Sequence, residues 1–82
     1  MNPAALIHAA ACRELKAAGE RPSIRRVAEL VGAHRTAWHR AVQQGGGSPR
    51  CETVRGWLAT WAAGGREPIA LELTAAGWRL RA

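Results

Sequence analysis

IRRVAELVGAHRTAWHRAVQQ, residues 24–44, reads as two short helices about a tight glycine corner. Val27, Leu30 and Val31 before the corner, and Trp38, Ala41 and Val42 after it, recur at helical spacing and face each other as a small core. Ala28 and Gly32 lie four residues apart, where the two helices are expected to approach most closely and a larger side chain would hold them open. Gly32 also supplies the positive φ that the turn needs. The polar residues His34, Arg35, Thr36, His39, Arg40, Gln43 and Gln44 are left pointing away.

Outward from the corner, Asn2-Pro3 makes a helix start, with Asn as cap and Pro at the first helical position. Leu6, Ile7, Ala10, Ala11, Leu15 and Ala18 continue a helical stripe that stops at Gly19. This helix is expected to cross the back of the other two and complete a three-helix core over residues 1–44. Arg21-Pro22-Ser23 links them, with Ser23 as the next cap. Gly45-Gly46-Gly47 ends the third helix, and Ser48-Pro49 restarts a fourth over residues 48–63 with a cap and an N1 proline. Its Val54, Trp57, Leu58 and Trp61 fall at i, i+3, i+4, i+7, an amphipathic signal.

After Gly64-Gly65 the period drops to two. Ile69, Leu71 and Leu73 alternate with Ala70 and Glu72, and Trp78 and Leu80 alternate with Arg79 and Arg81. With Thr74-Ala75-Ala76-Gly77 turning the chain, residues 66–82 read as a hairpin. The competing reading makes Thr74 an N-cap and residues 75–81 a last helical turn or two. The predicted fold is mainly α. It is a single domain over residues 1–82, a compact helix-turn-helix bundle of about four helices with a small C-terminal β-hairpin that serves as a wing or a dimerisation strand.

Eighty-two residues allow one domain, and a chain of that size buries only about 60% of its surface on folding, so a second copy would add stability. The formal charge of +6 and sequence pI of about 11.4 favour a polyanionic partner. Eleven of the twelve basic residues are arginine, suited to bidentate contact with phosphate or guanine. The abundance of Ala and Gly, with no Phe or Tyr, is also what a GC-rich genome would give, so the charge alone is a weak signal.

Other classes find little support. Leu6 to Ala11 is too short for a signal-peptide core and is interrupted by His8, and no apolar run approaches the ~18 residues of a membrane span. A cytoplasmic, nucleoid-associated protein is expected. Cys12 and Cys51 form no C-x-x-C pair, and His8 and Cys12, spaced i, i+4, have no second pair to complete a metal site. There is no paired-carboxylate or nucleophile–base constellation. Gly45-Gly46-Gly47-Ser48 lacks the lysine of a phosphate loop. No catalytic residue, metal or other cofactor is expected.

The spacing instead places an exposed polar helix where it can enter the major groove of double-stranded DNA. His34, Arg35, Thr36, His39, Arg40, Gln43 and Gln44 are the candidate base readers; Arg35 and Arg40 suit guanine or phosphate and Gln43 suits adenine. Ser23, Arg25, Arg26, Arg50, Arg79 and Arg81 are the candidate phosphate contacts. Arg26 stands near a helix N-terminus, against the macrodipole, which makes sense if it meets a phosphate; the plain alternative is a solvated basic face. Trp57, Trp61, Leu71, Leu73 and Trp78 are either core or a homodimer interface. Two rival readings remain. One is a protein-interaction module using the Trp-rich face; the other is a DNA-packaging or recombination accessory factor.

Ile24, Val27, Ala28, Leu30, Gly32, Arg35, Trp38 and Arg40 resemble the helix-turn-helix of bacterial and phage transcription regulators, particularly the Lac- and Tet-repressor types. Gly19-Glu20-Arg21-Pro22-Ser23 is similar to the lead-in of plasmid KfrA-type DNA-binding domains. Leu73-Thr74-Ala75-Ala76-Gly77 with Leu80 looks like the strand end after the wing of winged-helix regulators. Ala33 and His34 stand where those families carry a branched apolar residue and then Ser or Thr, and Trp38 stands in place of the usual Val or Leu. The resemblance implies a small homodimeric transcriptional regulator acting on an inverted repeat, without a small-molecule effector domain.

Overall fold

The computed structural model describes residues 2–44 and 49–81, with the Gln44 side chain outside the described part. Four helices, α1 (Pro3–Ala17), α2 (Ile24–Val31), α3 (Arg35–Gln44) and α4 (Cys51–Ala63), are followed by strands β1 (Leu71–Thr74) and β2 (Gly77–Leu80). The protein is mainly α with a small C-terminal β-hairpin. The longest helix has 15 residues, and no helix among the described residues is long and apolar enough to cross a membrane.

The buried core is entirely apolar: Ala4, Ile7, Ala11 and Leu15 from α1, Val27, Ala28 and Val31 from α2, Trp38 from α3, and Val54 and Trp61 from α4. On α1 these recur every three or four residues, so one stripe faces inward. α1 packs on α2, α3 and α4, and α2 packs on both α3 and α4. The two buried tryptophans give this small core much of its apolar area, since each such ring buries ~150–250 Å².

Caps define the helix ends. Asn2 Oδ1 accepts from the Ala4 N–H at 3.0 Å, with Pro3 opening α1, and Ser23 Oγ accepts from the Arg26 N–H at 3.0 Å. At the end of α2, Gly32 adopts φ 76° while Ala33 N–H reaches back to Ala28 O at 2.9 Å and Gly32 N–H to Glu29 O at 3.3 Å, a Schellman closure. The close approach of Gly32 differs from the one the sequence pointed to. A Cβ there would lie 3.2 Å from Thr60 Cγ2 on α4, and it is Ala28, not Gly32, that sits in the core.

The start of α4 also departs from expectation. The helix begins at Cys51, not Ser48; Arg50 takes the cap position with extended backbone and makes no side-chain cap bond. Pro49 therefore precedes the helix instead of opening it. Ser48 and the Gly45–Gly47 joint lie outside the described residues.

Residues 71–80 form the hairpin, and the helical alternative for 75–81 falls. Antiparallel pairing sets Leu71 opposite Leu80, Glu72 opposite Arg79, Leu73 opposite Trp78 and Thr74 opposite Gly77. Leu71, Leu73, Trp78 and Leu80 thus share one face, while Glu72 and Arg79 share the other. β2 lies against α1, and Leu71, Trp78 and Ile69 pack on the core. Neither Ala75 nor Ala76 has positive φ, so the left-handed step falls on Gly77 at φ 111°. Thr74 Oγ1 closes the turn, donating to Gly77 O at 2.8 Å and accepting from Ala76 N–H at 3.2 Å.

Replacing Gly32 with Ala should destabilise the protein by about 1–2 kcal/mol, because an L side chain is forced into the left-handed region against Thr60. Urea unfolding of the variant checks this.

Candidate nucleic-acid interface

α3 is seated by its inner face and open on its outer one. Trp38 is fully buried, and Ala41 and Val42 are half-buried against the core. Arg35, Thr36, Ala37, His39, Arg40 and Gln43 are exposed. Thr36, His39, Arg40 and Gln43 fall at i, i+3, i+4, i+7, so they make a continuous polar stripe opposite the Trp38 side. Arg35 and Ala37 flank it. Ala37 was not singled out in the sequence, which marks polar residues; its small size lets a partner surface come close to the helix backbone.

Two side chains from α1 and its cap fix α3. Asn2 Nδ2 donates to Ala41 O at 2.7 Å and to Val42 O at 3.2 Å, meeting carbonyls of the last turn that have no partner within the helix. Trp38 Nε1–H donates to His8 Nδ1 at 3.2 Å, and His8 Nε2 lies 3.5 Å from Cys12 Sγ. Because the indole can only donate, His8 must present an unprotonated Nδ1. Burial lowers the His8 pKa and raises that of the Cys12 thiol, the latter partly offset by Lys16. The His8–Cys12 pair is therefore a neutral contact supporting Trp38. A thiol held protonated beside an imidazole already engaged is poorly placed to act as a nucleophile. The signals in the sequence were a histidine interrupting an apolar stripe and the i, i+4 spacing that sets it beside Cys12; nothing there pointed to Trp38.

His34 is not part of the polar stripe. Its carbonyl accepts the first helical bond from Trp38 N–H at 2.8 Å, and its ring Nδ1 accepts from Thr36 N–H at 3.2 Å. The imidazole thus does the capping work of the Ser or Thr that the resembling families carry, through Nδ1 alone, and the residue stays exposed. With Arg25, Ala28, Glu29, Ala33 and Arg35, His34 lines a shallow open groove beside the α2–α3 turn.

The charges divide into two groups. Glu20 joins Arg26 at 3.3 Å and Arg66 at 3.1 Å, and these bonds, Arg66 first, hold its carboxyl below the usual range. Arg66 also lies 5.3 Å from the centre of the Trp61 ring. Glu29 joins Arg25 at 3.8 Å and Arg26 at 3.6 Å; Glu72 joins Arg79 at 2.6 Å and Arg81 at 3.7 Å. Of the phosphate candidates, then, Arg26 serves first to tie α2 to the α1–α2 link. Arg25, Arg79 and Arg81 are each shared with a glutamate, and the Ser23 hydroxyl is engaged as a cap. Among the described residues Arg35, Arg40 and Arg50 make no ion pair, as is also true of Arg13, Arg21 and Arg55, and α3 carries no acidic residue. The Gln44 side chain lies outside the described residues.

The candidate dimer residues separate as well. Trp61 is fully buried and its Nε1–H donates to Glu67 O at 2.8 Å, so it is core and not interface. Trp57 is half-buried, edge-on to Trp38 at 5.0 Å between ring centres. Leu71 and Trp78 are half-buried, and Leu73, at 55% exposure, is the large apolar side chain left open.

Trp38→Ala should destabilise the fold by about 3–5 kcal/mol, whereas Thr36→Ala and Gln43→Ala should each stay within about 0.5 kcal/mol of the parent. Thermal unfolding followed by circular dichroism separates the two faces of α3 in this way. Comparison with protein-family models, curated proteins and solved structures finds no match to this chain.

Proposed function

We propose that this chain binds double-stranded DNA sequence-specifically, as a small transcriptional regulator of the helix-turn-helix type. The observation that carries the reading is the outer face of α3. Thr36, His39, Arg40 and Gln43 stand exposed along one stripe with Arg35 at its edge, and neither arginine is neutralised by a glutamate among the described residues. A helix ~10–12 Å across fits the major groove, and this one is anchored from behind by a buried tryptophan. Arg40 then reads guanine and Gln43 adenine, while Arg35 and Arg50 hold phosphates.

One such helix reads too few base pairs for genomic selectivity. The working form is accordingly a homodimer on an inverted repeat, with half-sites about 34 Å apart, in the cytoplasm at the nucleoid. With Trp61 buried, Trp57, Leu71, Leu73 and Trp78 remain for such contact, Leu73 being the most open of them. The same exposed Leu73 is what favours the second reading, an interaction module that grips another protein through the hairpin.

A gel shift on the DNA flanking its own gene tests the proposal. Arg40→Ala should abolish specific retention with an unchanged circular dichroism spectrum. Arg50→Ala should weaken binding to all sequences alike and reduce the salt dependence by about one counterion. Unchanged site selection by Arg40→Ala would overturn the assignment of α3. Partner binding that ignores salt, with no DNA retention, would favour the interaction module.

A further inference from the structure

We propose that His8 is a proton-sensitive latch on α3: neutral, it accepts the Trp38 indole N–H and holds the helix seated; protonated, it presents a second N–H to that donor and releases it. The geometry follows from hydrogen-bonding capacity. Indole nitrogen has a proton and no acceptor lone pair, so the 3.2 Å contact to His8 Nδ1 exists only while that nitrogen is bare. The imidazole proton then sits on Nε2, towards Cys12 Sγ at 3.5 Å. Trp38 is fully buried and has no water to fall back on, so a lost acceptor leaves a buried donor unsatisfied.

The neighbouring protein groups offer a half-buried imidazolium no counter-charge. From α1 the titratable group facing His8 is Cys12, with Lys16 one turn further on; α3 presents only the non-titrating indole of Trp38, and α4 places the Trp57 ring edge-on behind that indole. Among the described residues no carboxylate pairs with His8. Burial accordingly lowers its pKa from the ordinary 6.5. The sign follows: the folded state binds fewer protons than the unfolded one in this range. The stabilisation is complete above about pH 6.5 and is lost as pH falls below it, towards the lowered folded-state value. Asn2 holds the last turn of α3 through Ala41 O and Val42 O independently of pH, so the opening centres on Trp38.

Nuclear magnetic resonance of the ¹⁵N-labelled chain between pH 7.5 and 5 tests the latch. The neutral His8 ring should show the Nε2–H tautomer. Protection factors of the α3 amides should fall about tenfold over this range while those of α2 hold, the fold-change expected for one buried donor left unsatisfied. His8→Gln supplies an acceptor that does not titrate and should abolish the pH dependence. An Nδ1–H tautomer, pH-independent α3 protection, or the same fall in His8→Gln would overturn the proposal; if that variant does not fold, the tautomer and the parent titration decide. The consequence for DNA rests on the function proposed above. A gel shift at pH 7.5 and 5.5 should show retention weakening in the parent and persisting in His8→Gln. Absence of DNA binding at both pH values would remove that function and leave the latch standing on the resonance data.

Discussion

The burial of Trp38 is the constraint around which this fold is arranged. A ring of that size fills the space between α1, α2 and α4 and so gives a small domain a continuous core. It also brings a donor into that core. An indole N–H without a partner would forfeit about 1–3 kcal/mol, a large share of the stability of a domain this size. His8 supplies the acceptor, and Trp61 meets the same demand through Glu67 O. No buried side-chain nitrogen or oxygen among the described residues is left without a partner.

A few polar side chains each serve two elements. Asn2 caps α1 with its carbonyl oxygen and closes the end of α3 with its amide nitrogen. Glu20 joins the α1–α2 link, α2 and the segment after α4 through Arg26 and Arg66. Such bonds fix relative placement more than they add net stability, since exposed ion pairs contribute little. The result is a rigid seat under α3 whose outer face is free of internal contacts.

Much of this was legible in the sequence because it follows from period. The 3–4 spacing of Val27, Val31 and Trp38 and the alternation of Leu71, Leu73, Trp78 and Leu80 set out the corner and the hairpin. Period says which side of an element is apolar, but not what that side meets. Trp57 and Trp61 share a helix face, yet Trp61 is core and Trp57 only half-covered. Gly32 carries the left-handed step as expected, while its tight neighbour is Thr60, 28 residues on, which no local pattern encodes. The cap bond of His34 and the Glu20 bond of Arg26 went unforeseen for the same reason. Whether an imidazole caps its own helix, or a guanidinium finds Glu20, depends on backbone direction and on tertiary neighbours. The start of α4 was misjudged because Ser-Pro resembles a cap and first turn whether or not the helix begins there.

The glutamates carry a last implication. Glu20, Glu29 and Glu72 each serve two arginines, so every ion-paired cluster retains surplus positive charge, and the chain as a whole carries +6. That net charge sets two copies of such a chain against one another in dilute buffer, opposing contact through the open Leu73 face. Their mutual repulsion is relieved by whatever supplies negative charge. On the function proposed above, a polyanion that bound both copies would hold them side by side, so that assembly and binding would be one event rather than two in succession.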